Sequence, residues 1–582
     1  MRTPQPGDLE EARDAAAAAP GAAMGLPRAG LVLAVVAIAT AIGVQAALHS
    51  AIPWREYTIA TLIVGLIGLV GATVWAARLG LTAEVASAAD AVAAGLARGG
   101  WRAYALLAGA LWLTLSFVAL VVLQAFPNSG DEYAFVMQAD TYRAGRFSTP
   151  TPPAYESFMQ FRYLAKGEAW FSPYQGGWSA VMTAFATLGV PYWMVNPVLG
   201  AAAALAFFAL ARLYVSAAAA ALATLALITS AFFLLNYASF FGHGIAALSA
   251  IGFAFFGRRF LERGDWRDAA LAGACVGMLG FGRAFNAVAI AAPFAVALLL
   301  SPKRWRAGIA FGVGGAPFVA LLAWFNAGVS GLPHVVPGSW YSSSEPLGAP
   351  SGLTIMNTVN RFVTLQVWTS PLLTPAYALA LVWLARARKL DFTDWIFPVT
   401  VAAFLFYGGD GGNQYGPRYY FEAWPFLLLS VFKAFDALAL RAPASRLAPW
   451  LAAALIAHIG FQIGYVAPRL AREHRIIVER QDVYRQAAAQ GLRDAIVFIS
   501  GYVGVAREMH PRDLVRNGPF IGEESVIYAR DLGPEKNAAA LRAYPGRAGY
   551  LYRCGALMPL ALAPPYALDP PCPNTAPDPV WD

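Results

Sequence analysis

Charge is what this chain has least of: Asp, Glu, Lys and Arg make up only 13% of its 582 residues, where an ordinary soluble domain carries about 25%. So little charge cannot cover a water-facing surface, and with 58% of its residues hydrophobic the chain reads as a polytopic membrane protein. Cysteine is nearly absent. Cys275 lies inside an apolar run, and neither it nor Cys554 and Cys572 shows metal-ligand spacing, which removes cysteine chemistry from the function. The net charge of +8 comes without any Lys/Arg run interleaved with aromatics, so no nucleic-acid partner is expected. No internal repeat is visible either, which counts against a transporter built from paired halves.

What is present is a series of apolar runs of about 17–25 residues, the length a helix needs to cross about 30 Å of hydrocarbon with its backbone satisfied internally. About thirteen can be placed. They lie near 29–49, 57–77, 103–125, 193–213, 216–235, 241–260, 269–283, 286–301, 307–327, 362–385, 394–408, 420–440 and 447–467. The first is longer than a signal-peptide core and follows a polar Ala-rich tail, so it is expected to stay uncleaved.

Basic residues set the orientation. Arg78, Arg98 and Arg102, then Arg258, Arg259, Arg263 and Arg267, then Lys303, Arg304 and Arg306, then Arg386, Arg388 and Lys389, then Arg441 and Arg446 fall in alternate loops. The positive-inside rule places those loops and the N-terminus in the cytoplasm. The expected organisation is a cytoplasmic tail (1–28), two N-terminal helices with a cytoplasmic loop (29–102), a membrane core (103–467) with a large external loop (127–192), and an external unit (468–582). In that last unit strand-like runs ("AIVFIS", "SVIYARDL", "GYLYRC") alternate with a helical one ("PEKNAAALRAY"), which predicts a small α/β domain. Cys554 and Cys572 fall in it, on an oxidising side where a disulfide forms. Abundant Ala and Arg with few Lys point to a GC-rich bacterial genome and so to a bacterial cell membrane.

The external loop opens on "PNSGDEYAF", where Asp131 and Glu132 follow directly on an apolar helix. Acids at that place fit a helix N-cap and equally a general base. Downstream, "MQADTYRAGRF" with Asp140, "YESFMQFRYLAKG" with Arg162 and Lys166, and "GGWSAVMTAFATLG" have helical amphipathic spacing, which predicts surface-lying helices roofing a site. Tyr174 falls between the last two. Other ionisable groups collect at outer helix ends: His243, Arg283, Asp410 and Arg418, the last beside Tyr419. An arginine at membrane depth costs at least about 2.5–3.5 kcal/mol, so it needs an anionic partner or a wet cavity. A bound phosphate, an internal ion pair or interfacial anchoring would each meet that need.

Taken together, "SGDEYAFVMQADTYRAGRFSTPTPP", "FSPYQGGWSAVM", "GFGRAFN" and "YGPRYYFEAWPFLLL" resemble the C-type (GT-C) membrane glycosyltransferases, the group of protein mannosyltransferases and lipid A aminoarabinose transferases. The resemblance covers roughly residues 103–440. It implies a polytopic α-helical GT-C fold and a hexosyl- or pentosyltransferase that takes a sugar from a polyprenyl-phosphate donor, with inversion, to an extracytoplasmic glycan, lipid or protein. Asp131 would be the base, with Glu132 its partner or a metal ligand. Arg283, Arg418 and Lys166 would hold the phosphate, with Tyr174 and Tyr419 as hydrogen-bonding neighbours. Some relatives use a divalent metal (Mg or Mn), which Asp131 and Glu132 would then ligate; no other cofactor is implied. Two alternatives stay open: a ligase or polymerase of lipid-linked glycans, and a transporter or flippase of lipid-linked sugars.

Overall fold

The computed structural model describes residues 71, 82–160, 164–166, 168–300, 304–330, 348–408, 412, 414–441, 448–500 and 511–560. The tail 1–28 and the predicted spans 29–49 and, apart from Gly71, 57–77 lie outside the described residues, as do Arg162, Asp410 and Cys572.

The core is helical. It begins with α1 (Thr82–Phe117), continued by a π-helical turn (Val118–Val122), and the long loop 127–192 follows with α2 (Gly130–Arg143) and α3 (Gly177–Thr187). Then come α4 (Tyr192–Ala211), α5 (Ala217–Ile228), α6 (Ala231–Ala238), α7 (His243–Arg263), α8 (Trp266–Leu299) and α9 (Arg304–Ser330). The second half holds α10 (Gly352–Trp368), α11 (Leu373–Arg386), α12 (Phe392–Ala403), α13 (Trp424–Arg441) and α14 (Ala448–Arg480). Five stretches among the described residues are long and apolar enough to cross a membrane: Arg98–Val122, α4, α7, α8 and Trp305–Val329. Leu106, Leu113, Ile309 and Val313 on two of them are 60–76% exposed. Such a surface is favourable against lipid, where no hydrophobic penalty applies. The chain is a polytopic membrane protein.

Several predicted boundaries move, each for a local reason. The runs 269–283 and 286–301 were expected as two spans but form the single helix α8, because only Ala284 and Phe285 separate them, too few residues to reverse the chain. Its backbone departs from helical geometry at Arg283 (φ −152°, ψ 69°). The run 362–385 is instead split between α10 and α11, bent by 103° at Pro371, which lacks the N–H an uninterrupted helix needs. The run 216–235 divides into α5 and α6, bent by 64°, where the Ser230 hydroxyl accepts the Phe233 N–H at 3.1 Å and starts a new helix. Within that loop the described residues of "YESFMQFRYLAKG" do not form an amphipathic helix. One helical turn (Tyr155–Phe158) is followed by strands β2 (Leu164–Lys166) and β3 (Ala169–Phe171), which pair antiparallel with β1 (Thr149–Pro150) in the order β1-β3-β2. Lys166 pairs with Ala169, and the aromatic run Ala169–Phe171, buried at Trp170 and Phe171, favours a strand over a helix.

Helix α14 runs through the expected domain boundary at 468 to Arg480, leading into α15 (Asp482–Ala489) and a four-stranded sheet. Strand β4 (Ala495–Ile499) lies between β5 (Val526–Arg530) and β6 (Ala548–Arg553), parallel to both, and β7 (Ala556–Pro559) pairs antiparallel with β6. The run AIVFI is buried at every position, as a central parallel strand covered on both faces must be. One face packs with Val483, Leu514 and Tyr552. The other packs with Ala540 of α16 (Pro534–Ala543) and with Phe158, contributed by the loop 127–192. Cys554 is disulfide-bonded, and Cys275 is free.

Helices α8 and α9 approach backbone to backbone. A Cβ on Gly314 would stand 1.9 Å from the Ala270 carbonyl oxygen, and one on Gly273 1.9 Å from that of Phe311. Packing of this kind needs small residues, since lipid supplies no hydrophobic drive between helices. Gly314→Ala is therefore expected to force the pair apart and lower the midpoint of thermal unfolding in detergent, by about 1–3 kcal/mol of overpacking. Gly312→Ala, whose Cβ would meet nothing within 4 Å, is expected to leave that midpoint unchanged or raise it.

Candidate active site

The sequence Asn128-Ser129-Gly130-Asp131-Glu132 starts α2 with a full capping box. The Glu132 N–H donates to the Ser129 hydroxyl at 3.2 Å, and the Glu132 carboxylate accepts the Ser129 N–H at 3.0 Å. The same carboxylate accepts the Asn128 N–H at 2.9 Å, while its other oxygen accepts the N–H of Phe240, between α6 and α7, at 2.9 Å. Glu132 is fully buried. Burial pushes its carboxyl up to about 7, against the opposing pull of the Phe240 amide, Arg418, Arg516 and Ser129. Its oxygens are taken by these donors, so it works as a clasp between loop and core.

Asp131 points elsewhere. It accepts a hydrogen bond from the Tyr174 hydroxyl at 2.5 Å and pairs with the guanidinium of Arg418. Tyr174 is held by its ring against Phe135, centroids 4.7 Å apart. The Arg418 guanidinium lies 4.1 Å from the Phe241 ring centroid. The acid pair thus divides into a structural carboxylate and one presented to basic and phenolic groups.

A second ion pair stands behind the first. Arg283 Nε is 3.0 Å from Glu422, which also meets His243 Nδ1 at 2.9 Å and accepts from the Asn286 amide at 2.7 Å. Arg283 reaches His243 Nε2 at 3.2 Å as well. The break in α8 at Arg283 leaves the next amide, Ala284 N–H, to be taken by the Gln175 side chain at 3.0 Å. Gly177 permits this approach, since a Cβ there would stand 2.5 Å from the Phe281 carbonyl oxygen. That packing explains why "SPYQGGW" and "GFGRAFN" occur in one chain. Tyr419 closes the wall, stacked on Phe404 (5.3 Å, 8°) with Arg361 4.8 Å from its ring and Arg283 5.8 Å.

Asp131, Glu132, Tyr174, His243, Arg283, Arg418 and Tyr419 are brought into one neighbourhood. Asp140 is not: it lies at the far end of α2, about 13 Å along the axis from Asp131 at 1.5 Å per residue, and accepts from Tyr192 at 2.8 Å. Lys166 is in β2, and Arg162 and Asp410 lie outside the described residues. Sequence reading missed Glu422, Asn286, Gln175 and the Phe240 amide. Glu422 was recoverable, because it is an acid inside an apolar run four residues after Arg418 and a buried acid implies a partner; a backbone amide leaves no such signal. The carboxylates do not fit a divalent metal. Glu132 faces N–H donors and Asp131 a guanidinium and a phenol, and among the described residues no three His, Cys, Asp or Glu converge.

The helical core and the loop lying over it have the fold of the GT-C membrane glycosyltransferases. The solved structure that carries this likeness is ArnT from Cupriavidus metallidurans bound to undecaprenyl phosphate, which superposes with a TM-score of 0.52 at 12% identity, covering 81% of this chain and 100% of that one. The apo state of ArnT gives 0.46 at 14% identity over 72% and 84%. Arabinofuranosyltransferase AftD from mycobacteria gives 0.38 at 15% over 75% and 32%. No protein-family model matches the chain, and no curated protein matches its sequence.

The environment of Glu132 sets a pH dependence. A carboxyl raised from 4.5 to about 7 in the folded chain holds a proton that the unfolded chain releases, so its contribution is full below pH 4.5 and is lost as pH rises through 7. Thermal unfolding from pH 4.5 to 8 is expected to show a loss on the order of 3 kcal/mol that Glu132→Gln, which cannot titrate, does not show.

Proposed function

We propose that this protein transfers a sugar from a polyprenyl-phosphate donor to an extracytoplasmic acceptor, with inversion at the anomeric carbon. The observation that carries the reading is Asp131, paired with Arg418 and hydrogen-bonded to Tyr174, in a fold whose solved example ArnT was crystallised with undecaprenyl phosphate. The bacterial cell membrane, a cytoplasmic N-terminus and an external 468–582 unit belong to the same proposal, on the distribution of basic residues and apolar runs.

In a single displacement the acceptor hydroxyl forms the new C–O bond, the bond from the anomeric carbon to the phosphate oxygen breaks, and the electron pair leaves with the lipid phosphate. Asp131 takes the hydroxyl proton. Attack and departure occur on opposite faces of the sugar, so Arg418, which pairs with Asp131 in the structure, must leave the base in order to hold the phosphate. The donor phosphate competes with Asp131 for Arg418. Its arrival moves the guanidinium onto the leaving group, where charge develops, and leaves Asp131 oriented by Tyr174. Arg283 is already balanced by Glu422, so its part is to shape and charge the wall behind Tyr419. Lys166 is a further cation of the loop for the phosphate.

Full-length protein in membranes would be supplied with a panel of labelled polyprenyl-phosphate sugars and cell-envelope acceptors. Wild type is expected to transfer label, and Asp131→Asn to lose about 10²–10⁴-fold. Arg418→Ala should lose donor affinity as well as rate. Undiminished transfer by Asp131→Asn overturns the base assignment. No transfer from any monosaccharide donor overturns the transferase reading in favour of a glycan ligase or a flippase.

A further inference from the structure

We infer that the C-terminal unit aims the acid-bearing helix, and that Arg516 is the positioning residue through which it does so. Arg516 is buried, and its guanidinium lies 4.1 Å from the ring centroid of Phe126 and 5.2 Å from that of Tyr133. These two aromatics flank the capping box of α2. Arg516 Nε donates to the Asp513 carbonyl at 2.9 Å, but its two terminal nitrogens are buried with no hydrogen-bond partner among the described residues. The two rings are therefore what this cation is built against. Desolvated cation–π contacts of this kind are worth about 2 kcal/mol.

The neighbouring contacts act in the same direction. The Tyr133 hydroxyl donates to the Asn517 carbonyl at 2.7 Å, and the Asn517 side chain is fixed to β5 by two bonds, donating to Tyr528 O at 2.8 Å and accepting Tyr528 N–H at 2.7 Å. The Asn128 amide reaches Glu473 on α14 at 3.3 Å. Farther along the loop Phe158, fully buried, enters the sheet's own core, and Lys536 pairs with Glu156. Tyr133 and Asp131 are two residues apart, hence about 200° apart around the helix axis. Gripping Tyr133 from the sheet side turns Asp131 toward the core, where Arg418 and Tyr174 stand.

This role rests on the transferase reading, since it is Asp131's direction that is being set. The test uses full-length protein in nanodiscs, with Arg516→Ala, Arg516→Lys and Tyr133→Phe. Amide hydrogen exchange is expected to show lost protection in the first turn of α2 in Arg516→Ala and Tyr133→Phe, with β4 and β5 unchanged. In transfer assays kcat is expected to fall by up to about 10²-fold, the scale of a misplaced catalytic group, while the donor KM holds. Arg516→Lys, which keeps the charge but not the planar stack, should recover only part. Wild-type exchange in α2 together with wild-type kcat, in both Arg516→Ala and Tyr133→Phe, overturns the inference. If Arg516→Ala loses protection across the sheet, Tyr133→Phe, which removes one hydroxyl, decides it alone. If wild type transfers no sugar the transferase reading fails, and unaltered α2 exchange in Tyr133→Phe would then also overturn the clamp.

Discussion

The buried carboxylate of Glu132 is the constraint on which the rest of the site depends. Five donors converge on it from two parts of the fold: the Asn128 and Ser129 amides and the Ser129 hydroxyl on its own loop, and the Phe240 amide and the Gln414 side chain from the core. A carboxylate removed from water is tolerated only when its oxygens are fully occupied. Once they are, the first turn of α2 has a fixed position over the break between α6 and α7. The direction of Asp131 then follows from helix geometry, because a neighbouring residue on a capped helix has no freedom except its own rotamer.

The same rule governs the deeper charges. Glu422 would be untenable alone in an apolar bundle, and it is surrounded by Arg283, His243 and Asn286. Arg283 in turn stands at the one non-helical residue of α8, and the neighbouring amide is given to Gln175 of the loop. Two of the fastenings between loop and bundle are thus Glu132 on Phe240 and Gln175 on Ala284. Both fastenings end on backbone amides at places where a core helix is interrupted. Interrupted helices inside a membrane protein need such partners, and the loop 127–192 supplies them.

Much of this was legible in the sequence, and the limits follow physical lines. Composition and the lengths of apolar runs gave the membrane class. The motif around Asp131 and Glu132 gave both the cap and the acid at the loop–core junction. Arg283, Arg418, Tyr174 and His243 lie in one neighbourhood, although 244 positions separate Tyr174 from Arg418 in the chain. What failed was local: one amphipathic pattern gave the antiparallel strands β2 and β3, and two short runs fused into α8. Periodicity reports which side of a segment is apolar, not whether two residues suffice to turn. The division of labour between the two acids was hidden as well, because it is decided by the Phe240 amide, a group every residue type except proline carries.

Arginine pairing bears on how lipid-linked chemistry can be contained. Two of the three cations expected at the phosphate already have a carboxylate: Arg418 has Asp131 and Arg283 has Glu422. A bundle that left such charges uncompensated would hold them at considerable desolvation cost, so the resting site is neutralised internally. The two pairs differ in one respect. Glu422 has three partners and Arg283 touches two of that group, which makes this pair hard to open, whereas Asp131 keeps the Tyr174 hydroxyl if Arg418 moves away. An arriving phosphate can therefore take Arg418 without stranding the acid it leaves. On the proposed reading, donor binding and release of the base are then one exchange of partners, and an acceptor hydroxyl meets an available carboxylate only when a leaving group is already held.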